Sequence, residues 1–74
     1  MLLEPVRWET DTRYYQARLG RDLFGQLIIH RCWGGKGTRL GGMATDLFDT
    51  EDEAHKALQA LAKVRARRGY RLVA

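Results

Sequence analysis

The chain has 74 residues, of which 45% are hydrophobic and 30% charged, with a formal net charge of +4 and a sequence pI near 9.7. This length permits one domain with one small core and leaves little chain for a deep catalytic cleft. No segment reaches the roughly 18 consecutive apolar residues that a membrane span needs, and the first residues, MLLEPVRWE, do not form the apolar core of a signal peptide. The lone cysteine, Cys32, cannot form an internal disulfide, so a cytoplasmic protein is expected.

Four segments have the alternation or β-branched composition of strands. Residues 6–10 alternate weakly, whereas residues 13–20 place Tyr15, Ala17 and Leu19 on one face of a half-buried strand. Residues 23–33 predict the strongest strand, in which Gly25 marks a bulge or a tight bend. Residues 43–48 predict another strand, and the glycine-rich stretch before it predicts a long, loose hairpin connection.

A helix follows these strands. Thr50 and Glu53 form a capping-box pattern at its start, and Gly69 stands where a helix C-terminus usually has glycine. Residues 70–73 predict a short closing strand or a tail. The chain therefore predicts an α+β fold, a small antiparallel sheet of three to five strands with one α-helix, from the second half of the chain, packed on one face. One apolar stripe would meet the sheet, formed by Ala54, Ala57, Leu58, Leu61 and either Val64 or Arg65.

The most unusual stretch is HRCWGGKGTRLGG, residues 30–42, and it does not fit a nucleotide-binding loop. A P-loop requires Ser or Thr after its lysine and a helix beginning there, but Lys36 is followed by Gly37 and then by a predicted strand. The dinucleotide-binding pattern also lacks its third glycine and its helix. Both sites depend on a helix N-terminus, so a nucleotide cofactor is not expected.

Metal binding and catalysis find little support in the sequence. His30 and Cys32 share a strand face, but a structural zinc site needs four ligands and no further His or Cys lies near them. Cys32 is expected to be a half-buried small hydrophobic residue, and His55 to lie on the solvated side of the helix. Nothing in the spacing provides a nucleophile with a base and an oxyanion hole. No metal, no cofactor and no enzymatic activity are therefore expected.

The remaining feature is a basic hairpin that carries an aromatic side chain. Trp33 is expected either to pack into the core at a strand end or to expose one ring face, and these two interpretations are compatible. Arg31 shares its strand face, and Lys36 and Arg39 follow closely. Basic side chains, an aromatic ring and glycines suit the charge, the bases or sugars, and the close approach of a nucleic-acid backbone.

At these residues the chain resembles the WGR domain family, named for a Trp-Gly-Arg motif. Trp33-Gly34 and Gly37-Thr38 match the family pattern W-G-R-x-G-T. Upstream, RYYQARL and LIIHRCW resemble the family's tyrosine-bearing strand and the strand that leads into the motif. Downstream, FDTEDEAHKAL and RARRGY resemble its strand-to-helix step and its helix end. The resemblance covers about residues 13–72 and implies a single WGR-like domain over residues 1–74.

Members of this family occur in poly(ADP-ribose) polymerases, in bacterial regulators and as short bacterial proteins. In the polymerases the domain contacts DNA near strand ends, where its tryptophan lies against the terminal sugar. The resemblance thus implies that Trp33 is the stacking residue and Arg65 the basic residue late in the helix. The arginine of the motif is Gly35 here, so a planar cation with five donors is missing.

Together these observations predict a non-catalytic module that binds the backbone or the ends of DNA with little sequence specificity. The alternative is a protein-interaction module that docks an acidic partner or another domain. The residues expected to bind nucleic acid are Trp33, Lys36, Arg39, Arg31 and Arg65.

Overall fold

Alternating apolar and polar residues build one antiparallel sheet in the computed structural model, which describes residues 5–73. The strands lie in the order β4-β3-β2-β1-β5, so each strand from β1 to β4 pairs with its neighbour in sequence. The α+β prediction, with one helix from the second half of the chain on one face of the sheet, is confirmed. The elements are β1 (Val6–Glu9), β2 (Arg13–Arg21), β3 (Leu27–Gly35), β4 (Gly41–Phe48), α1 (Glu51–Arg67) and β5 (Arg71–Leu72).

The core lies between the sheet and α1. Tyr15, Ala17 and Leu19 point to this side together, as the alternation in β2 predicts. Leu58 and Leu61 of the helix pack partly buried against the same cluster. The buried hydrophobic residues of this core are Trp8, Tyr15, Ala17, Leu19, Leu27, Ile29 and Ala54. The other face of the sheet has no helix over it in the part of the chain that the structure describes.

Local hydrogen bonds fix both ends of α1. The Thr50 hydroxyl accepts a hydrogen bond from the Glu53 backbone N–H at 3.2 Å, which confirms the predicted N-cap. At the other end Gly69 has φ +84°, and the Tyr70 N–H donates to the Arg65 carbonyl at 3.0 Å. This Schellman-type turn directs the chain into β5, beside β1. Among residues 5–73 no helix is long and apolar enough to cross a membrane.

The prediction that a strand begins at residue 23 is wrong for its first four residues. β2 continues to Arg21, and the Asp22 carboxylate then accepts hydrogen bonds from the backbone N–H groups of Phe24 and Gln26, both at 2.9 Å. These bonds close a turn over residues 22–26, in which Gly25 has φ +80° and forms the expected tight bend. Leu23 and Phe24 are consequently exposed rather than buried in a strand.

The hairpin between β3 and β4 is shorter than the predicted long, loose connection. β3 includes Gly34 and Gly35, and β4 begins at Gly41, so only residues 36–40 connect the strands. Gly34 pairs with Gly41 in the ladder. The glycines therefore belong to the sheet, and Trp33 lies within a regular strand rather than at the edge of a loop.

Candidate functional site

A pocket of about 590 Å³ opens where the start of β2, the end of β3, the start of β4 and the last turn of α1 meet. Three guanidinium groups and three aromatic rings line it, together with backbone of the glycine-rich hairpin. The side chains are Arg13, Arg31, Arg65, Tyr15, Trp33 and Tyr70. We refer to this cavity as the Trp33 pocket.

Trp33 is held by a stack with Tyr15. The two residues are direct partners across β2 and β3, and their rings lie 5.6 Å apart with an interplanar angle of 12°. Trp8 meets the Tyr15 ring edge-on at 6.2 Å, so Tyr15 connects the stack to the core. Trp33 is itself half-buried and packs against that core. Its position therefore combines the two interpretations of the sequence, since it contacts the core and also lines the pocket.

Gly42 makes room for the indole ring. It lies opposite Trp33 in the ladder of β3 and β4, and a Cβ at this position would stand 2.8 Å from Trp33 Cζ2. A side chain on Gly42 would therefore push the ring away from β4. The glycine on one side and Tyr15 on the other fix the orientation of Trp33.

Arg65 brings the end of the helix into the pocket. Its guanidinium lies 4.3 Å from the centre of the Tyr15 ring and 5.0 Å from that of Tyr70. Two aromatic faces thus hold one cation in place. Of the two candidates for the last position of the helix stripe, Arg65 faces the sheet, whereas Val64 is more exposed.

The guanidinium of Arg31 is bound by two neighbouring side chains, Tyr15 and Asp46. Its Nη1 donates to the Tyr15 hydroxyl at 3.0 Å, and its Nε lies 2.8 Å from the Asp46 carboxylate. The Tyr15 hydrogen bond, and then the Asp46 carboxylate, hold the pKa of Arg31 above its ordinary value. Arg31 therefore remains charged, while Asp46 compensates part of its charge and Tyr15 fixes its orientation.

The structure separates Lys36 and Arg39 from the other expected site residues. The Lys36 ammonium lies 2.7 Å from the Glu9 carboxylate, on the face of the sheet that is turned away from α1. Arg7 also binds Glu9, at 2.7 Å. Hydrogen bonds from Lys36 and then from Arg7 lower the pKa of Glu9 to about 2. Arg39 is exposed in the connection 36–40 and does not line the pocket.

Of the six arginine and aromatic side chains that line the pocket, three were not among the sequence candidates: Arg13, Tyr15 and Tyr70. Arg13 and Tyr15 alternate along β2, and their side chains belong to the pocket because Tyr15 is paired with Trp33. The register between β2 and β3 depends on the turn at residues 22–26. This turn is hard to predict from the sequence, because it contains apolar residues that are typical of a strand. Tyr70 could have been inferred, because it directly follows the glycine that ends the helix.

Gly35 stands at the rim of the Trp33 pocket. A Cβ here would lie 2.9 Å from the Thr38 hydroxyl, and this hydroxyl lies 3.4 Å from the Gly35 carbonyl. An arginine at this position would reach the pocket, but only if the Thr38 side chain moved. Glycine at position 35, in place of the arginine of the motif, therefore leaves the space that the Thr38 side chain occupies in this turn.

The remaining candidates of the sequence lie apart from the pocket. His30 binds the Thr45 hydroxyl at 3.0 Å on the uncovered face of the sheet, and Cys32 is half-buried on that face, as expected. His55 is exposed, as predicted for the solvated side of the helix. Among residues 5–73 no three His, Cys, Asp or Glu side chains are grouped so that they could hold a metal ion.

Comparison with known proteins identifies a family and a curated relative. The family model of the WGR domain matches residues 3–74. The uncharacterized protein y4dW of Sinorhizobium fredii (strain NBRC 101917 / NGR234) is 36% identical over 69 residues, which are 93% of this chain and 32% of the relative. The chain thus spans about a third of the length of that relative. No solved structure matches the chain.

Proposed function

Because the chain belongs to the WGR domain family, we propose that it is a non-catalytic module that binds DNA through the Trp33 pocket. The WGR domain is a nucleic-acid-binding module in poly(ADP-ribose) polymerases. The observation that carries the proposal is the convergence of three guanidinium groups and a stacked tryptophan on one pocket. Cations neutralise phosphates, and aromatic faces stack on bases or sugars.

The pocket residues divide into three roles. Arg13 and Arg65 supply charge for phosphate groups, and Trp33 supplies a ring against which a sugar or a base packs. Arg31 supports the Tyr15–Trp33 stack rather than a phosphate, since its hydrogen bonds go to Tyr15 and Asp46. Arg65 is the one residue of α1 that lines the pocket, so the helix does not present a row of side chains to the base edges there. Backbone contact with little sequence specificity follows from this arrangement.

The shape of the site favours contact at a strand end or along the backbone. The pocket is a concave site of about 590 Å³ at one end of the sheet, which is large enough to admit the sugar and phosphate of a strand end. Gly35 leaves its rim without the arginine of the family motif. The absence of this arginine is therefore expected to reduce the preference for strand ends more than the general affinity for DNA.

Salt titration of binding to a short blunt duplex tests the proposal. The two arginines that supply charge to phosphates, Arg13 and Arg65, predict that the logarithm of the binding constant falls with the logarithm of salt concentration with a slope of roughly −2. A charge-matched control is Arg67→Ala, which removes an exposed arginine from the same helix end. Arg65→Ala should weaken binding more than this control. Absence of binding at low salt would overturn the proposal.

The second candidate function is docking of an acidic protein segment in the same pocket. It is favoured by one observation, since two thirds of the curated relative lie outside the match and could supply such a segment. A poly-glutamate peptide separates the two functions. If the peptide displaces a duplex of equal charge at equal concentration, acidic docking is supported. If the duplex is retained, the rings of the pocket contribute to nucleic-acid recognition.

A further inference from the structure

The outer strand of the sheet, β4, leaves one long edge open. β4 has eight residues and lies at the end of the strand order, and among residues 5–73 only β3 pairs with it. The opposite edge is formed by β5, which has two residues. The β4 edge therefore presents backbone N–H and C=O groups along its whole length, and these groups can form a ladder with another strand.

This edge lacks the features that usually prevent pairing. Its sequence, GGMATDLF, contains no lysine, arginine or proline. Its single charge, on Asp46, is bound to Arg31 at 2.8 Å on the side of α1. Edge strands of monomeric proteins are commonly protected by charged side chains, proline or bulges. β4 is thus open to pairing in its backbone and in its side chains.

The exposed side chains of β4 are arranged symmetrically about its centre. Met43 and Leu47 are 72% and 65% exposed, and both point to the uncovered face, two residues before and two residues after Thr45. On that face Met43 lies beside Cys32, and Leu47 lies beside Ile28. Such a strand complements an antiparallel copy of itself, because its two apolar positions exchange places about Thr45.

We propose that β4 pairs edge to edge with β4 of a second copy of this chain, antiparallel and centred on Thr45. In this register Met43 of each copy lies opposite Leu47 of the other. Each of these pairs extends an apolar row that already exists within one copy. Asp46 lies opposite Ala44, so the two carboxylates do not oppose each other. The contact is two-fold symmetric and uses both open edges, so assembly stops at the dimer.

The pairing produces one continuous ten-stranded sheet with both helices on the same face. Gly42, which lies beside Trp33, is opposite Phe48 of the other copy in this register. The two Gly42 positions are therefore six residues apart along the strands, or roughly 20 Å. This consequence rests on the proposed function: two Trp33 pockets would face one nucleic-acid molecule, and binding would gain from bivalency.

Sedimentation velocity over a dilution series tests the dimer. The wild-type chain should sediment as a dimer at high concentration, whereas Met43→Lys and Leu47→Lys should be monomers, because each places ammonium groups on the pairing edge. Leu23→Lys makes the same change at a leucine that is 99% exposed in the turn 22–26, and it should remain a dimer. A monomeric wild-type chain, or β4 variants that still dimerise, would overturn the proposal.

Disulfide trapping tests the register and also serves if a lysine variant fails to fold. In a Cys32→Ser background, Thr45→Cys should oxidise to a covalent dimer, since the two sulfur atoms meet at the symmetry axis. Leu47→Cys alone should not cross-link, but its mixture with Met43→Cys should. The opposite pattern would overturn the register. Retention of duplex binding by monomeric Met43→Lys separates this proposal from the proposed function, which does not need the dimer.

Discussion

Tyr15 is the residue on which the geometry of the Trp33 pocket depends. One face of its ring stacks with Trp33, its hydroxyl accepts a hydrogen bond from Arg31, and the Arg65 guanidinium lies 4.3 Å from its centre. The residue is only 6% exposed. The pocket is therefore an extension of the core, and its side chains are ordered before any ligand arrives. Such preorganisation reduces the entropy lost on binding.

Replacing Gly35 with arginine should strengthen DNA binding. Gly35 has an ordinary backbone conformation, so the substitution requires only that Thr38 give way. The added cation should make the salt dependence steeper by about one unit of slope. Leu23→Arg adds the same charge in the distant turn 22–26 and should change the slope less. Equal changes in the two variants would mean that the rim of the pocket does not contact phosphate.

Glu9 makes stability depend on acid pH. Its pKa is lowered from 4.5 to about 2 in the folded protein, chiefly by the Lys36 hydrogen bond. The folded state therefore gains stability above pH 4.5 and loses it as the pH falls toward 2. Glu9→Gln should lower the free energy of unfolding at neutral pH and flatten its decline in acid. Urea denaturation at several pH values measures this, and an unchanged acid decline would contradict the assignment.

Among the elements, sequence patterns predict those that local chemistry determines. The alternation of β2 and the caps of α1 depend on neighbouring residues, and both are found where expected. The start of β3 is different, because residues 23–26 have a strand-like composition. There the Asp22 carboxylate binds two backbone N–H groups and forms a turn, which exposes Leu23 and Phe24. Hydrogen bonds from the backbone to the Asp22 side chain thus favour a turn, although the hydrophobic pattern of these residues predicts a strand.

The candidate site was predictable only in part, because strand geometry decides which side chains meet. Trp33, Arg31 and Arg65 lie together as the sequence and the family resemblance suggest. Lys36 does not join them. β3 continues through Gly35, and the position after an extended residue falls on the opposite face of the sheet, where Lys36 meets Glu9. Because the glycine-rich stretch was predicted to be a loop, the alternation of side chains between the two faces of β3 was not extended to Gly35 and Lys36.

Gly42 of β4 should be essential for the orientation of Trp33. Gly42→Ala brings a methyl group to 2.8 Å from the indole ring, so the ring must rotate or the strands must separate. We expect a loss of about 1–3 kcal/mol in the free energy of unfolding and a changed near-ultraviolet circular dichroism spectrum. The double variant Gly42→Ala/Trp33→Phe should recover part of the stability. Full stability of Gly42→Ala would contradict the close packing.

Arg65 at the end of α1 should contribute to stability as well as to charge. Arg65→Ala removes the cation between Tyr15 and Tyr70, and we expect a loss of about 1 kcal/mol in the free energy of unfolding. Arg67→Ala removes an exposed arginine two positions later and should have little effect on stability. Thermal or urea unfolding of both variants makes the comparison. Equal losses would show that the two rings do not hold the guanidinium.

At the scale of the whole molecule, charge is divided between the two ends of the helix. The first turn of α1 carries Glu51, Asp52 and Glu53, whereas its last turn carries Arg65 and Arg67, next to the Trp33 pocket. α1 has 17 residues, so its two ends lie roughly 24 Å apart, which is far compared with the screening length at physiological salt, roughly 8 Å. A polyanion should therefore approach the pocket end first and be repelled from the other end.

The most direct test of the central claim is an NMR titration of the labelled protein with a short blunt duplex at low salt. We predict that the largest shift changes occur at the Trp33 indole N–H and at the backbone amides of Gly34, Arg65 and Tyr70, which surround the pocket. The chemical shifts of the backbone amides in the turn 22–26, at the other end of β3, should not change. Changes concentrated in that turn, or none at all, would contradict binding in the Trp33 pocket.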